Sequence, residues 1–228
     1  MTSVDLSASS VRELNARLHA LPADTNETAW RIAEPRGAHA VAAGLTVPVS
    51  VEIDGHVGYY CGGMNQAASV TINGHCGTGV AENMMSGTIR VRGNASQCAG
   101  ASGHGGLLVI EGDAGPRCGI SMKGVDIVVG GSVGHMSAFM AQSGTLAVCG
   151  DAGEDLGDSI YEATLYVGGG VGRLGADCVE KEMTTRHREM LSALLERAGV
   201  EADLSTFRRF GSARRLYHFH VDNADAYR

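Results

Sequence analysis

A glycine recurs every 19 residues through about half of the chain, and this period limits the folds that the sequence can adopt. The series of repeat glycines has no insertion or deletion: Gly55, Gly74, Gly93, Gly112, Gly131, Gly150 and Gly169. Aliphatic residues stand two and four positions before each repeat glycine, which is the alternation of a strand with one buried face. Seven units in phase indicate a stack of equivalent coils, in which each strand has a parallel neighbour on both sides.

Two further columns of small residues follow the same period. The third position after the repeat glycine holds Gly58, Gly77, Gly115, Gly134, Gly153 and Gly172, with Ser96 as the exception. The seventh position holds Gly62, Ala81, Gly100, Gly119, Ala138, Gly157 and Ala176. We expect the repeat glycines to provide positive φ or room for close backbone approach, and the seventh column to avoid a clash with the next wall. The sequence therefore predicts an all-β fold, a single-stranded parallel β-helix of about seven 19-residue turns.

The flanks of the repeat are predicted to cap it, because the open ends of a β-helix expose unpaired strand edges. Residues 1–48 form the predicted N-terminal helical and extended cap, with a helix over residues 10–20 and an extended stretch over residues 38–53. Residues 49–183 form the β-helix itself. Residues 184–228 form a C-terminal helix and arm, in which the helix begins after Thr184 and ends at Gly199, with Met190, Leu191, Leu194 and Leu195 on its apolar stripe.

Charge and hydropathy exclude several classes of function. A formal net charge of −7 argues against nucleic acid or an anionic membrane as the main partner. No apolar run approaches the roughly 18 residues of a membrane span. The N-terminus lacks the basic-then-apolar pattern of a secretion signal, so we expect a cytoplasmic location in which the six cysteines remain thiols.

The sequence predicts no catalytic, cofactor-binding or metal-binding residue in this chain. The cysteines fall at different phases of the repeat, so they cannot converge on zinc or on an iron–sulfur cluster. Cys98 and Cys118 are the one pair that we expect could touch. The match to G-x-G-x-x-G at residues 170–175 is explained by the glycine register, since no βαβ unit surrounds it.

A column of polar residues directly follows the repeat glycines. It begins with His56 and His75 and continues as Asn94, Asp113, Ser132 and Asp151. We interpret it as a structural ladder whose side chains bond local backbone at a turn, rather than as a metal site.

Arginine and aromatic residues concentrate in the C-terminal arm, and that composition is typical of protein interfaces. Two stretches of the repeat, residues 59–64 and 135–142, also carry Met and aromatic side chains. The candidate partner interface comprises Tyr59, Phe139, Met140, Phe207, Arg208, Arg209, Arg214 and Arg215, with Phe210, Tyr217 and Phe219 as neighbouring aromatic residues. The alternative interpretation is that the arm packs on its own coil.

The unit Gly55-x-x-Gly58-x-x-x-Gly62 resembles the G-x-x-G-x-x-x-G repeat of the C-terminal domain of glutamate synthase large chains. The flanking stretches RIAEPRGAHAVAAGL and HREMLSALLERAG are similar to that family as well. The resemblance implies a right-handed β-helix without catalytic residues, which holds a glutamine amidotransferase domain and an FMN-binding synthase domain in place. Because only the β-helix part is present, the chain looks like a free-standing subunit, similar to that of N-methylglutamate synthase (methylamine–glutamate N-methyltransferase).

The resemblance also implies the partners. They would be a glutamine-amidotransferase-like subunit and an FMN-binding glutamate-synthase-like subunit, and the FMN and any iron–sulfur cluster would reside in them. One alternative is the scaffold of a formylmethanofuran-dehydrogenase complex, which shares the repeat. Another is an independent β-helix enzyme, although no paired carboxylates support a glycosidase-type site and a 19-residue coil does not fit the hexapeptide acyltransferases. The sequence does not choose between ammonia and methylamine as the amine.

Overall fold

The computed structural model describes residues 1–215, which form one continuous sheet with two α-helices. In chain order the elements are β1 (Thr2–Asp5), α1 (Val11–His19), β2 (Ala29–Ala33), β3 (Ser50–Asp54), β4 (Ser69–Ile72), β5 (Thr88–Val91), β6 (Leu107–Ile110), β7 (Lys123–Val129), β8 (Ser143–Val148), β9 (Thr164–Val167), β10 (Cys178–Lys181), α2 (Thr185–Ala198), a 3₁₀ turn (Leu204–Thr206) and β11 (Arg208–Ser212). The sheet order is β1-β2-β3-β4-β5-β6-β7-β8-β9-β11-β10.

Strands β3 to β9 stack in parallel in the register that the period predicts. Val51 pairs with Val70, Val70 with Ile89, and the same 19-residue step continues as far as Leu165. A second line of parallel bridges joins the turns from Val57 to Val171. The inward-facing aliphatic residues fill the coil as one buried core. The predicted parallel β-helix of about seven turns is therefore confirmed.

The repeat glycines are required for close backbone approach between turns. A methyl group on Gly74 would lie 2.6 Å from the carbonyl carbon of Gly55, and the later repeat glycines meet the preceding turn in a similar way. Positive φ, the other expected reason, applies among the repeat glycines only to Gly55. This close approach allows each strand to lie at hydrogen-bonding distance from the strand of the preceding turn.

Positive φ angles occur instead at the fifth, seventh and ninth positions after the repeat glycine. In the first turn these are Tyr60, Gly62 and Met64, with φ of 60°, 62° and 56°. The Gly63 N–H donates to the Tyr60 carbonyl at 3.2 Å, so Gly62 is the third residue of a turn, where a type II turn requires positive φ. The seventh-position column also faces inward, since a methyl group on Gly62 would lie 2.6 Å from Ile89 Cδ1. Since Tyr60 and Met64 also have positive φ, the inward-facing position of the seventh column, rather than its φ, explains why only Gly and Ala occur there.

Helix α1 closes the N-terminal end of the coil. Ser10 and Glu13 form a capping box at its start, as the predicted helix over residues 10–20 requires. Leu14 and Leu18 are buried in the main core. The Asn15 side-chain amide donates to the Ala40 carbonyl at 2.8 Å and its oxygen accepts from the Ala42 N–H at 3.1 Å. These bonds satisfy backbone groups that no further turn of the coil would cover.

The sheet begins earlier than the glycine pattern indicates. Strands β1 and β2 pair in parallel ahead of β3, and Trp30 lies opposite Val51, an offset of 21 rather than 19 residues. The predicted extended stretch over residues 38–53 is wrong for residues 38–44, which form turns with positive φ at Ala40 and Ala42. These residues complete an additional turn of the coil with a different length. The 19-residue search could not detect it for that reason.

The C-terminal end is closed by antiparallel strands. β11 lies between β9 and β10 and is antiparallel to both. Phe210 of β11 faces Leu165 of β9 and is buried in the main core. The parallel stacking therefore ends with an aromatic side chain that fills the last opening of the coil.

Helix α2 lies on the outer face of the later strands. It begins after Thr184 and ends at Gly199, which has a φ of 61°, as predicted. Its buried leucines form a second core with outward-facing strand residues, and this core contains Leu107, Val109, Val128, Ala147, Tyr166, Leu191, Leu194, Leu195, Ala198 and Phe207. Met190 was expected on the apolar stripe but is 49% exposed, so that assignment is wrong. None of the helices within residues 1–215 is long and apolar enough to cross a membrane.

Candidate docking surfaces

The polar column is a ladder in which each side chain accepts a hydrogen bond from the backbone of the next turn. The His75 N–H donates to His56 Nδ1 at 2.9 Å, and the Asn94 N–H donates to His75 Nδ1 at 2.8 Å. Asn94, Asp113, Ser132 and Asp151 continue the ladder in the same way. The two imidazole rings stack with centroids 4.8 Å apart. The structural interpretation is therefore confirmed, although the bonded backbone belongs to the next turn and is not local.

The cysteines are free thiols, and most of them are buried in the coil. Burial raises the pKa of Cys118 to about 12, and the neighbouring Cys98 adds to that rise. Burial likewise raises the pKa of Cys98, which is half-buried. Protonated thiols are poor nucleophiles and poor metal ligands. Within residues 1–215, no group of three or more His, Cys, Asp or Glu residues is arranged to hold a metal ion.

Exposed apolar side chains collect near the N-terminal end of the coil. Tyr59, Tyr60, Met64 and Met85, which we call the N-terminal aromatic patch, are each about half exposed, at 49%, 49%, 55% and 48%. The Tyr59 ring stacks on the His39 ring at 4.5 Å, and the Tyr60 ring meets Tyr59 edge-on at 6.3 Å. The Met85 N–H donates to the carbonyl of Asn65, next to Met64. Tyr59, Tyr60 and Met64 thus lie along one stretch of the first turn's wall, and Met85 of the next turn is bonded to the residue that follows Met64.

The second predicted stretch on this wall is less exposed. Phe139 and Met140 are both half-buried, and the Phe139 N–H closes a turn onto the Met136 carbonyl at 3.2 Å. Ala138, which precedes Phe139, is buried and faces the core. A role for Phe139 and Met140 in docking stays a prediction.

The C-terminal arm packs on its own coil as far as residue 215. Phe207 is buried in the second core, so its ring is not available to a partner as predicted. The Arg208 guanidinium lies 5.4 Å from the Phe210 ring centroid, and Arg209 Nε donates to the Glu182 carbonyl at 2.9 Å. Arg214 pairs with Glu162 at 2.9 Å.

Some of the arm's residues still face solvent. Arg208, Arg214 and Arg215 are exposed, although the Arg215 N–H donates to Asp177 Oδ1 at 2.8 Å. A contact between these arginines and a partner stays a prediction. Tyr217 and Phe219 lie outside the described residues.

Comparison with known proteins shows a relative of the same length. The chain is 57% identical to Protein GlxC of Rhizobium meliloti (strain 1021) over 228 residues, which cover 100% of both proteins. The chain belongs to the GlxC family. No protein-family model matches the chain, and no solved structure matches it. Identity at this level over the full length means that the relative shares the β-helix and the caps described above.

Sequence reasoning missed part of the exposed surface. It identified residues 59–64, with their Met and aromatic side chains, as a candidate docking stretch, but it did not identify Met85 of the next turn. A signal for residues 59–64 was present, since Tyr60 and Met64 occupy the fifth and ninth positions, whose equivalents in the next turn are Gly79 and Asn83. Exposed large apolar side chains that cluster in this way indicate an interaction surface.

Proposed function

We propose that this chain is a non-catalytic structural subunit of a multi-subunit glutamate-synthase-like enzyme. In this proposal the enzyme is N-methylglutamate synthase, which converts glutamate and methylamine to N-methylglutamate and ammonia. The chain would position the amidotransferase-like subunit relative to the FMN-binding subunit. The resemblance of the G-x-x-G-x-x-x-G repeat to glutamate synthase, through all seven turns, supports this assignment.

The observation that carries the proposal is the unbroken double laddering of the coil. Backbone pairing joins every strand from β3 to β9, and the polar column adds a side-chain bond at nearly every step. At roughly 4.8 Å per strand these turns span about 30 Å. A rod laddered along two lines resists bending, which suits a part that fixes the distance between two active sites.

The chemistry of the described side chains supports the absence of a reaction centre in this chain. The thiols of Cys61 and Cys118 are buried and have raised pKa values. His56 and His75 use Nδ1 to accept backbone hydrogen bonds. These four side chains therefore serve the coil rather than a substrate, and in this proposal the chemistry would reside in the partner subunits.

Purification of the chain from its native cells under mild conditions tests the proposal. We expect amidotransferase-like and FMN-binding chains to copurify, with flavin absorbance in the complex and methylamine-dependent activity only in the complete mixture. A flavin-free chain that turns over glutamate or methylamine alone would overturn the proposal. Copurifying molybdopterin would instead point to the formylmethanofuran-dehydrogenase type of complex.

A further inference from the structure

We propose that the N-terminal aromatic patch binds a segment of a partner protein that presents an arginine or lysine side chain to Glu82. The inference rests on the proposed function and deepens it, since the partner would be one of the two subunits that the chain positions. The aromatic and methionine side chains would supply the apolar contact. The negative charge of Glu82 would require that the partner residue in contact with it be positively charged.

The aromatic side chains are held in place before any partner binds. Tyr59 is fixed between its own turn and His39, whose ring stacks on it at an interplanar angle of 21°. The backbone N–H of Tyr59 also donates to His39 Nδ1 at 2.8 Å. Tyr60 then meets Tyr59 edge-on, at 78°. Rigid tyrosines lose little conformational freedom on binding, and tyrosine is enriched among the residues that dominate interface energetics.

Glycines of the second turn leave space for these rings. A methyl group on Gly77 would lie 2.7 Å from Tyr59 Cδ1, and one on Gly79 would lie 2.7 Å from Tyr60 Cδ1. The same methyl group on Gly79 would lie 2.8 Å from Glu82 Oε2. The Tyr60 ring edge and the Glu82 carboxylate are therefore neighbours above Gly79.

Glu82 decides the chemistry of the partner. Its side chain is half-buried and forms no ion pair or hydrogen bond with any residue from 1 to 215. Arg117 and Glu82 both influence the Cys98 thiol, yet they form no ion pair with each other. A partner that covers Tyr60 and Met64 also removes water from this carboxylate. Burying an unpaired charge is costly, so a stable complex requires a cation from the partner.

The patch is confined to one end of the rod. The positions that correspond to Tyr59 in the next three turns are Thr78, Gln97 and Pro116. The chain carries a net charge of −7, which favours a basic partner at an apolar surface that contains a carboxylate. A single docking point at one end is the arrangement that a rod needs to hold one partner at a fixed distance from another.

The test uses the full-length chain in the complex purified with its amidotransferase-like and FMN-binding partners. We expect Tyr60→Ala and Glu82→Gln each to weaken assembly by about tenfold or more, and Glu82→Lys to weaken it further. Met190→Ala is the matched control, because Met190 is equally exposed but lies on α2, and it should leave assembly unchanged. Thermal unfolding of each variant checks that it is folded. If Tyr60→Ala does not fold, Glu82→Gln still tests the proposal, because it keeps the size of the side chain.

A benzophenone photocrosslinker at position 60 identifies the partner segment by mass spectrometry. The proposal requires a crosslinked segment that contains Arg or Lys, and reversal of that charge should restore binding to the Glu82→Lys variant. If the wild-type complex assembles and neither Tyr60→Ala nor Glu82→Gln weakens it, the docking proposal is overturned while the proposed function stands. If the wild-type chain recovers neither partner, the docking proposal and the proposed function are both overturned. A crosslink to a second copy of this chain, or to a segment without a basic residue, also overturns it.

Discussion

At the scale of single residues, Tyr166 stands out because its hydroxyl is buried without a partner among residues 1–215. The ring is 1% exposed and packs in the second core beneath α2. A buried hydroxyl without a hydrogen bond costs about 1–3 kcal/mol. We therefore expect Tyr166→Phe to raise the free energy of unfolding by about 1 kcal/mol in urea denaturation. A loss of stability would contradict an unsatisfied hydroxyl at this position.

The close approach between turns gives a second prediction at this scale. A methyl group on Gly134 would lie 2.6 Å from the backbone nitrogen of Pro116 and 2.9 Å from the carbonyl carbon of Gly115. Because backbone atoms cannot move aside as a flexible side chain can, we expect Gly134→Ala to destabilise the protein by about 1–3 kcal/mol.

Gly211→Ala is the control for that substitution. The nearest atom to a methyl group at position 211 is 3.7 Å away, in ordinary contact. Thermal unfolding of both variants should show a loss confined to Gly134→Ala. Equal losses would contradict contact between turns as the cause, since the effect of Gly→Ala on the unfolded chain is by itself stabilising.

At the scale of elements, the polar ladder contributes one bond per turn. Asp113 Oδ1 accepts from the Ser132 N–H at 2.7 Å on an exposed edge. A typical hydrogen bond contributes about 0.5–1.5 kcal/mol, so Asp113→Ala should cost an amount in that range. Asp113→Asn keeps the oxygen acceptor, as Asn94 does one turn earlier, and should cost less. Indistinguishable urea midpoints for the two variants would contradict a stabilising ladder.

The contact between α2 and the sheet is the other element-scale prediction. Leu191 is fully buried in the second core, whereas its neighbour Met190 is 49% exposed. Leu191→Ala should reduce the free energy of unfolding by about 2–5 kcal/mol through lost burial and the cavity it leaves. Met190→Ala should change it by less than about 0.5 kcal/mol. A small effect of Leu191→Ala would show that α2 detaches from the coil without unfolding it.

At the scale of the whole molecule, the buried thiols make stability depend on pH in the alkaline range. Burial raises the pKa of Cys76, Cys118 and Cys178 from the ordinary 9.0 to about 12. Between these values the unfolded chain has lost thiol protons that the folded chain keeps. Stability is therefore complete below about pH 9 and falls as pH rises toward 12. Urea denaturation at pH 8 and pH 10.5 measures the fall, which Cys118→Ala should reduce.

Alkylation of the native protein checks the same burial pattern. Iodoacetamide at pH 8 should modify Cys98 and Cys149 first, because these two are half-buried while the other thiols are buried. The buried thiols should react only in denaturant. Rapid native labelling of Cys61, which is fully buried, would mean that the coil opens readily and is not a stiff rod.

Much of the fold is readable from the sequence because a stacked coil repeats one local solution. Aliphatic residues stand two and four positions before each repeat glycine, so the strands β3 to β9 and their registers follow from counting. The outward-facing column three positions before each repeat glycine also changes character in a way that the sequence shows. Its polar residues Glu52, Thr71 and Arg90 are followed by Val109, Val128, Ala147 and Tyr166, and this apolar part marks where α2 packs. Because equivalent residues of successive turns contact one another, the same residue types recur at the same positions in every turn.

The sequence by itself determined the seven repeat turns of the coil and the two helices, since each depends on local periodicity or on caps such as Ser10 and Gly199. Only the tertiary structure decided the parts that depend on contact between distant segments. These are the additional turn around Trp30, the antiparallel entry of β11 and the burial of Phe207. The aromatic patch belongs with them, because whether Tyr59, Tyr60 and Glu82 meet depends on what the neighbouring turns leave uncovered, and no period in the sequence records that.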